Sequence, residues 1–286
     1  MSAADEIAPP PGITLRQIVR LALEEDLGRG DITSWATVPA KRTGAATLRA
    51  REACVLAGMP VVREVFRQVD EQLQIALHVA DGSRLEAGST LARLEGSARS
   101  LLAGERVALN FLQRLSGVAS LTRAHVDALP AGSTTRIADT RKTTPGLRAL
   151  ERYAVRCGGG HNHRDDLSSA VMIKDNHIAA CGGLERAIAA AQANAPHTSR
   201  IECEVDTPEQ FTRALAAGAD IIMLDNFSDE AVASAVKECA GRAILEASGG
   251  IDLSRVRTLA LAGVDVISVG ALTHSAPAVD LGLDWE

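Results

Sequence analysis

The chain has 286 residues, 46% of them hydrophobic, with 36 acidic side chains against 30 Lys and Arg. That length supports a large core, either one barrel with an appendage or two modest domains. A net charge of −6 and an aromatic content of 2% exclude the basic field and stacking surfaces of a nucleic-acid binder. Only four of the cations are lysines (Lys41, Lys142, Lys174 and Lys237), so arginine dominates. Arginine is the side chain suited to planar recognition of carboxylate or phosphate. The acidic, Pro-rich start has no basic or apolar segment of a secretory signal, and no apolar run is long enough to span a membrane. The cysteines at 54, 157, 181, 203 and 239 are odd in number and show no C-x-x-C spacing. They read as free thiols in a reducing cytoplasm.

In chain order, residues 1–13 read as a disordered arm. Thr14-x-x-Gln17 is a capping box, apolar residues then recur at helical spacing, and Leu27-Gly28 closes that helix. Segments 44–58 and 72–95 carry short β-suited runs cut by Asp81-Gly82 and Gly88. Residues 98–116 return to helical periodicity, and Gly117 is the expected boundary of this first unit. From 118 the texture changes. Six apolar runs end in polar clusters: RIADTRK (136–142), AVMIKDN (170–176), IECEVD (201–206), DIIMLDN (220–226), AILEASGG (243–250) and DVISVGAL (265–272). Thr144-Pro145, Thr207-Pro208 and Ser228 read as helix starts between them, and Gly218, Gly241 and Gly263 as stops. The expectation is a parallel α/β barrel.

In such a fold the strand ends converge on one face, where barrel enzymes place their chemistry. Asp139, Arg141, Lys142, Lys174, Glu204, Asp206, Asp225 and Glu246 would share that rim. Arg141-Lys142, the loop His161-Asn162-His163-Arg164 and Lys174 form a positive well suited to a polyanion. Glu204 and Asp225 end consecutive strands, and two carboxylates with substrate phosphate oxygens are a common Mg²⁺ site. Asp206 has the same strand parity as Glu204 and is an alternative ligand. Ser248-Gly249-Gly250 and Val269-Gly270-Ala271 follow the last two strands, the favoured phosphate position in barrels. Two weaker readings remain beside these: a metal cluster at His161-x-His163 with Cys157, and a Schiff-base lysine at Lys142 or Lys174. The residues alone fit phosphoribosyl transfer, a sugar-phosphate aldolase or a sugar-phosphate isomerase.

A series of motifs in order sharpens this choice. Glu25-Asp-Leu-Gly-Arg-Gly-Asp-Ile-Thr33, Asn110-Phe-Leu-Gln-Arg-Leu-Ser-Gly117, Asp139-Thr-Arg-Lys-Thr-Thr-Pro-Gly146 and Gly158-Gly-Gly-His-Asn-His-Arg164 come first. Ile173-Lys-Asp-Asn-His177, Glu204-Val-Asp206, Leu224-Asp-Asn-Phe227, Glu246-Ala-Ser-Gly-Gly-Ile251 and Val269-Gly-Ala-Leu-Thr-His274 follow. From about residue 14 to its end the chain closely resembles the quinolinate phosphoribosyltransferase family. The resemblance implies an N-terminal open-faced α/β sandwich (14–117 plus 275–286) followed by a parallel α/β barrel (118–274). It implies phosphoribosyl transfer from phosphoribosyl diphosphate to quinolinate with loss of CO₂, in a cytoplasmic homodimer or higher oligomer with shared active sites.

By the same resemblance, Arg106 reaches into the neighbour's site. Arg141, His163 and Arg164 hold quinolinate carboxylates, Thr140 belongs to the substrate-binding set beside them, and Lys142 and Lys174 face the carboxylates and diphosphate. Glu204 and Asp225 bind the ribose hydroxyls and Mg²⁺. Ser248, Gly249, Gly250, Val269, Gly270 and Ala271 hold the 5′-phosphate, with His274 close by. The contrasting readings are a molybdenum-transport-linked relative and a phosphosugar-binding module without turnover.

Overall fold

The computed structural model describes residues 7–286. Its elements are α1 (Gly12–Leu27), α2 (Ile32–Thr37), β1 (Thr43–Ala50), β2 (Cys54–Val55), α3 (Met59–Val69), β3 (Gln74–Leu77), β4 (Arg84–Leu85), β5 (Thr90–Ser97) and α4 (Ala98–Asp127). There follow β6 (Arg136–Ala138), α5 (Arg148–Cys157), β7 (Val171–Ile173), α6 (Asp175–Cys181), α7 (Leu184–Asn194), β8 (Ile201–Val205), α8 (Pro208–Ala216) and β9 (Ile221–Asp225). The chain ends with α9 (Asp229–Cys239), β10 (Ile244–Ser248), α10 (Leu253–Ala262), β11 (Val266–Ser268), α11 (Ala271–His274) and β12 (Leu281–Trp285).

Two compact units divide these elements. The first holds the described residues through Arg123, with Thr143–Gly159 and Leu272–Glu286; the second holds Ala124–Lys142 and Gly160–Ala271. In this division α5 groups with the first unit, and Gly117 lies inside α4.

The first unit is built on an antiparallel sheet of order β12-β1-β5-β3. Alternation along its strands makes one face apolar and one charged. Ala46, Leu48, Ala92 and Leu94 are buried, as are Phe66 of α3 and Leu101 and Leu112 of α4. The polar positions carry ion pairs instead: Arg93 joins Glu95 and Glu286, and Arg51 joins Asp284. This is an open-faced sandwich. The C-terminal strand completes its edge, with Leu48 opposite Leu283 in register.

Three local expectations change. The arm expected over 1–13 is described only from Ile7; residues 1–6 lie outside the described part. Within the described part Arg156 donates to the Ala8 carbonyl at 2.8 Å, and α1 begins at Gly12. Thr14 is therefore inside the first turn, and α1 has no side-chain cap. Likewise Thr144-Pro145 does not start α5. The Thr144 amide and hydroxyl both donate to the buried Glu151 carboxylate, at 3.0 and 2.8 Å, and the helix begins at Arg148.

Gly117 has a different task from the one its position suggested. A Cβ built there would lie 1.9 Å from the carbonyl oxygen of Pro277. The returning segment is held along α4 by Gln113, whose Nε2 donates to the Leu281 carbonyl at 2.8 Å and whose carbonyl accepts from Val279 at 3.2 Å. Gly117→Ala must push backbone from backbone, and overpacking of this kind costs about 1–3 kcal/mol. A urea-unfolding series should show that loss; an unchanged midpoint would contradict the close approach.

The second unit has six parallel strands in the order β6-β11-β10-β9-β8-β7, each run read from the sequence supplying one strand. Helices alternate with the strands and bury Leu184, Ile188, Phe211, Val232, Val256 and Leu259, as an α/β barrel requires. His161 extends the β6 edge through a parallel bridge to Ala138. The predicted caps hold: Thr207 accepts from the Gln210 amide and Ser228 from the Ala231 amide, each contact being worth about 1 kcal/mol. Among the described residues no helix is long and apolar enough to cross a membrane. All five cysteines are free, and only Cys181 is exposed.

Candidate active site

The strand ends of the second unit carry the polar groups the sequence places there. β8 supplies Glu204 at its penultimate position, β9 ends on Asp225 and β10 ends on Ser248. Ser248 is in register with Asp225. Their loops are tied together: the Asn226 amide donates to the Ser248 carbonyl at 3.0 Å, and Asn226 Nδ2 donates to Asp225 Oδ2 at 2.8 Å. A Cβ at Gly249 would lie 2.3 Å from Asn226 Oδ1, so only glycine permits this approach. Gly250, at φ 55°, has open space where its Cβ would stand. The result is a backbone cradle open on one side.

After β7, Lys174 occupies the N-cap of α6, and its amide donates to His177 Nδ1 at 3.0 Å. Its ammonium makes a close ion pair with Glu204. After β6, Lys142 is exposed, with its amide donating to Thr140 Oγ1 at 3.1 Å, and Arg141 is half-buried. The Arg164 guanidinium donates to the Ala170 carbonyl at 3.2 Å. Burial and then the neighbouring Arg141 charge push its pKa down, against the carboxylates of Glu202 and Glu204. Two guanidiniums therefore crowd one another in a partly desolvated rim on a protein of charge −6.

Around the loop 161–164 stand Asp139 and Glu246, which the sequence places on the rim without a role, and Glu202, which it does not single out. Asp139 is fully buried and holds the loop from one side. Its Oδ1 accepts from the His163 amide at 2.7 Å, and its Oδ2 accepts from Asn162 Nδ2 at 2.6 Å. On the other side His163 Nε2 lies 3.4 Å from Glu202 Oε1 and 3.3 Å from Glu246 Oε1. Burial opposes charge on His163, and the carboxylates of Glu202 and Glu246, which outweigh it, hold a proton at Nε2 between them. Burial raises the Glu202 pKa. The cluster thus keeps a proton through neutral pH.

The Arg164 amide donates to His163 Nδ1 at 2.7 Å. A nitrogen that accepts there has a free lone pair, so the ring hydrogen sits on Nε2, facing the carboxylates. An Nε2–H cannot ligate a metal. His163 therefore belongs to a proton-sharing cluster and not to the metal cluster weighed with His161 and Cys157. Cys157 itself is a buried thiol of the first unit. Glu202 was legible in principle: it shares strand parity with Glu204, two residues on, and so faces the same side of β8.

The rim thus brings together Thr140, Arg141, Lys142, His163, Arg164, Lys174, Glu204, Asp225, Ser248, Gly249, Gly250, Val269, Gly270 and Ala271, all in the second unit. Asp206 stands one residue beyond β8, exposed, its amide donating to Gln210 Oε1 at 2.8 Å. Arg106 and His274 belong to the first unit; Arg106 is exposed on α4, and His274 Nδ1 is 2.6 Å from Ser275 Oγ. Glu204 and Asp225 are half-buried carboxylates on adjacent strands, a hard-oxygen donor set that fits Mg²⁺.

Comparison with known proteins gives two family matches that together span most of the chain. Residues 31–116 match the N-terminal domain, and residues 118–284 the C-terminal domain, of quinolinate phosphoribosyl transferase. A probable nicotinate-nucleotide pyrophosphorylase [carboxylating] of Bacillus subtilis is 44% identical over 272 residues, covering 95% of this chain and 93% of the relative. The human nicotinate-nucleotide pyrophosphorylase [carboxylating] is 40% identical over 277 residues, covering 96% and 92%. Among solved structures, NadC from Streptococcus pyogenes superposes with a TM-score of 0.92 at 43% identity, covering 98% of this chain and 99% of that one.

Proposed function

The chain belongs to the quinolinate phosphoribosyltransferase family, and on that premise we propose that it converts quinolinate and phosphoribosyl diphosphate to nicotinate mononucleotide, CO₂ and diphosphate. The observation that carries this reading is the gathering of Arg141, Lys142, His163, Arg164 and Lys174 at the strand ends of one unit, where Arg164 is partly desolvated and feels the Arg141 charge. Several cations placed in this way suit an anion with more than one carboxylate. Quinolinate has two, on adjacent ring carbons.

Arg141, His163 and Arg164, with Thr140, hold the carboxylates, and Lys142 and Lys174 face the carboxylates and the diphosphate. Lys174 is paired with Glu204 before substrate arrives, so an incoming anion competes for the ammonium and releases the carboxylate for the ribose. The cradle at 248–250 and the Val269–Ala271 turn hold the 5′-phosphate through backbone N–H groups. Glu204 and Asp225 would hold Mg²⁺, and that ion would supply charge neutralisation for the diphosphate.

The bond from ribose C1 to the diphosphate oxygen breaks with its electron pair leaving on the diphosphate. The pyridine nitrogen then forms the C1–N bond. Glu204 and Asp225 stabilise the positive ribosyl carbon between these events. The ring nitrogen is now cationic, so the pair left at C2 when CO₂ departs is stabilised by that charge. Solvent supplies the proton that replaces CO₂. Arg106, exposed on α4, is contributed to the neighbouring subunit's site in a homodimer or higher oligomer.

The test is chromatographic detection of nicotinate mononucleotide and diphosphate from the purified chain with both substrates and Mg²⁺. Both products should form in equal amounts. Excess chelator should stop turnover and added Mg²⁺ restore it. Turnover unchanged in chelator would count against the metal, and absence of both products against the reaction.

A further inference from the structure

Three buried carboxylates meet the loop 161–164, and the reaction above gives none of them a task. Asp139, Glu202 and Glu246 are 0%, 3% and 4% exposed and come from the ends or interiors of β6, β8 and β10. Burying a carboxylate is costly, and an aliphatic side chain would pack these positions more cheaply. Their neighbours on the same strands, Cys203 and Leu245, are of that apolar kind. Such groups persist in a core when they fix a geometry.

The geometry they fix is specific. Asp139 pins the loop backbone through the His163 amide, so His163 cannot shift along the chain. Glu202 and Glu246 both face one ring nitrogen, Nε2, and thereby set the rotation of the imidazole. The opposite nitrogen, Nδ1, accepts from the Arg164 amide at 2.7 Å. If the ring turned, that contact would break and the Arg164 backbone would lose its only side-chain acceptor in this chain of contacts. The Arg164 guanidinium itself donates to the Ala170 carbonyl at 3.2 Å.

We propose that Glu202 and Glu246 are positioning residues that lock the His163 ring and, through His163 Nδ1 and the Arg164 amide, aim the Arg164 guanidinium at the carboxylate-bearing substrate. The inference rests on the functional reading above. Neither glutamate touches substrate. Their effect is specific to the acceptor carboxylates and does not extend to the phosphoribosyl half, which the cradle at 248–250 holds independently.

The test pairs steady-state kinetics with histidine ¹⁵N NMR on the full chain, which has seven histidines. Glu246→Leu removes an acceptor, Glu246→Gln keeps one oxygen facing Nε2–H, and Glu202→Gln is a second variant should Glu246→Leu not fold. Losing one partner of a buried donor corresponds to about a tenfold effect. The expected result is therefore a KM for quinolinate raised about tenfold in Glu246→Leu, an unchanged KM for phosphoribosyl diphosphate, and recovery in Glu246→Gln. Equal rises in both KM values, or a lower Tm with neither changed, would overturn the inference. In the NMR spectrum the His163 signal, assigned by its loss in His163→Gln, should be the Nε2–H tautomer in wild type and a mixture in Glu246→Leu. A wild-type protein inactive on quinolinate yet showing that tautomer shift would sink the functional reading alone. A tautomer indifferent to both glutamates would sink the lock itself.

Discussion

Replacing Arg164 with alanine lowers kcat/KM for quinolinate by about 30-fold or more, the loss expected when one partner of a desolvated charge pair worth roughly 2–5 kcal/mol is removed. The reason lies in what surrounds it. Arg164 is drawn down in pKa by burial and then by Arg141, against the opposing pull of Glu202 and Glu204, so the repulsion between the two cations is reduced further when an anion binds. Binding of a dicarboxylate converts that repulsion into attraction, and removal of either cation forfeits it. Arg141→Ala should therefore fall in the same range. Arg164→Lys should recover little, because an ammonium cannot present two parallel N–H groups to a carboxylate. The fold should survive, since the Arg164 side chain is tethered within the protein by one carbonyl and lies at the rim. Steady-state kinetics beside a thermal melt separates the effects. Near-normal kcat/KM in Arg164→Ala would remove the residue from the site.

Arg114→Ala, by contrast, should damage the fold of the first unit. Arg114 donates to Glu151 Oε1 at 2.8 Å, to the Ala276 carbonyl at 2.6 Å and to the Thr273 carbonyl. Glu151 has no exposed surface, and Arg114 is its cationic partner, with Thr144 as a neutral donor. Truncating the arginine leaves a buried carboxylate with only Thr144 donors and two carbonyls without their donor. Breaking a buried pair in this one-sided way costs about 3–5 kcal/mol. The double variant Arg114→Met with Glu151→Leu should regain much of that loss, because both desolvated charges are then gone. Urea unfolding of the single and double variants measures this directly. Arg213→Ala provides the contrast: its pair with Glu185 is half-exposed on both sides, and solvent screening makes its removal nearly silent. Equal destabilisation by Arg114→Ala and Arg213→Ala would contradict the account of the buried pair.

Much of the second unit was legible because its signals are local. A β run that ends in a charge marks a strand leaving the core, and all six such runs became strands in one parallel sheet. Thr207 and Ser228 worked as caps because an N-cap needs only the next three residues. What was not legible shares a non-local cause. Gly117 is a contact point for Pro277, 160 positions away, and nothing near it in sequence signals that approach. Thr144-Pro145 carried the chemistry of a helix start, but the buried Glu151 took the threonine's donors and α5 began later.

The site divides in the same way. Groups at strand ends, such as Lys174, Glu204 and Asp225, were found from position alone. Glu202 was not, because its apolar neighbours make it read as ordinary strand interior, and Asp139, though placed on the rim, gave no sign of the loop it holds. Strand parity with Glu204 was the available signal for Glu202. For Asp139 the signal was its place immediately after an apolar run, which fixes a burial but not a partner.

The central claim is that the rim reads a second carboxylate and couples its loss to ribosyl transfer. Quinolinate labelled with ¹⁴C in its 2-carboxylate tests it, with phosphoribosyl diphosphate and Mg²⁺, following labelled CO₂ and nicotinate mononucleotide together, and with nicotinate in a parallel reaction. The account predicts CO₂ and mononucleotide appearing in step from quinolinate, and no mononucleotide from nicotinate. Mononucleotide formed from nicotinate, or from quinolinate without release of label, would contradict it.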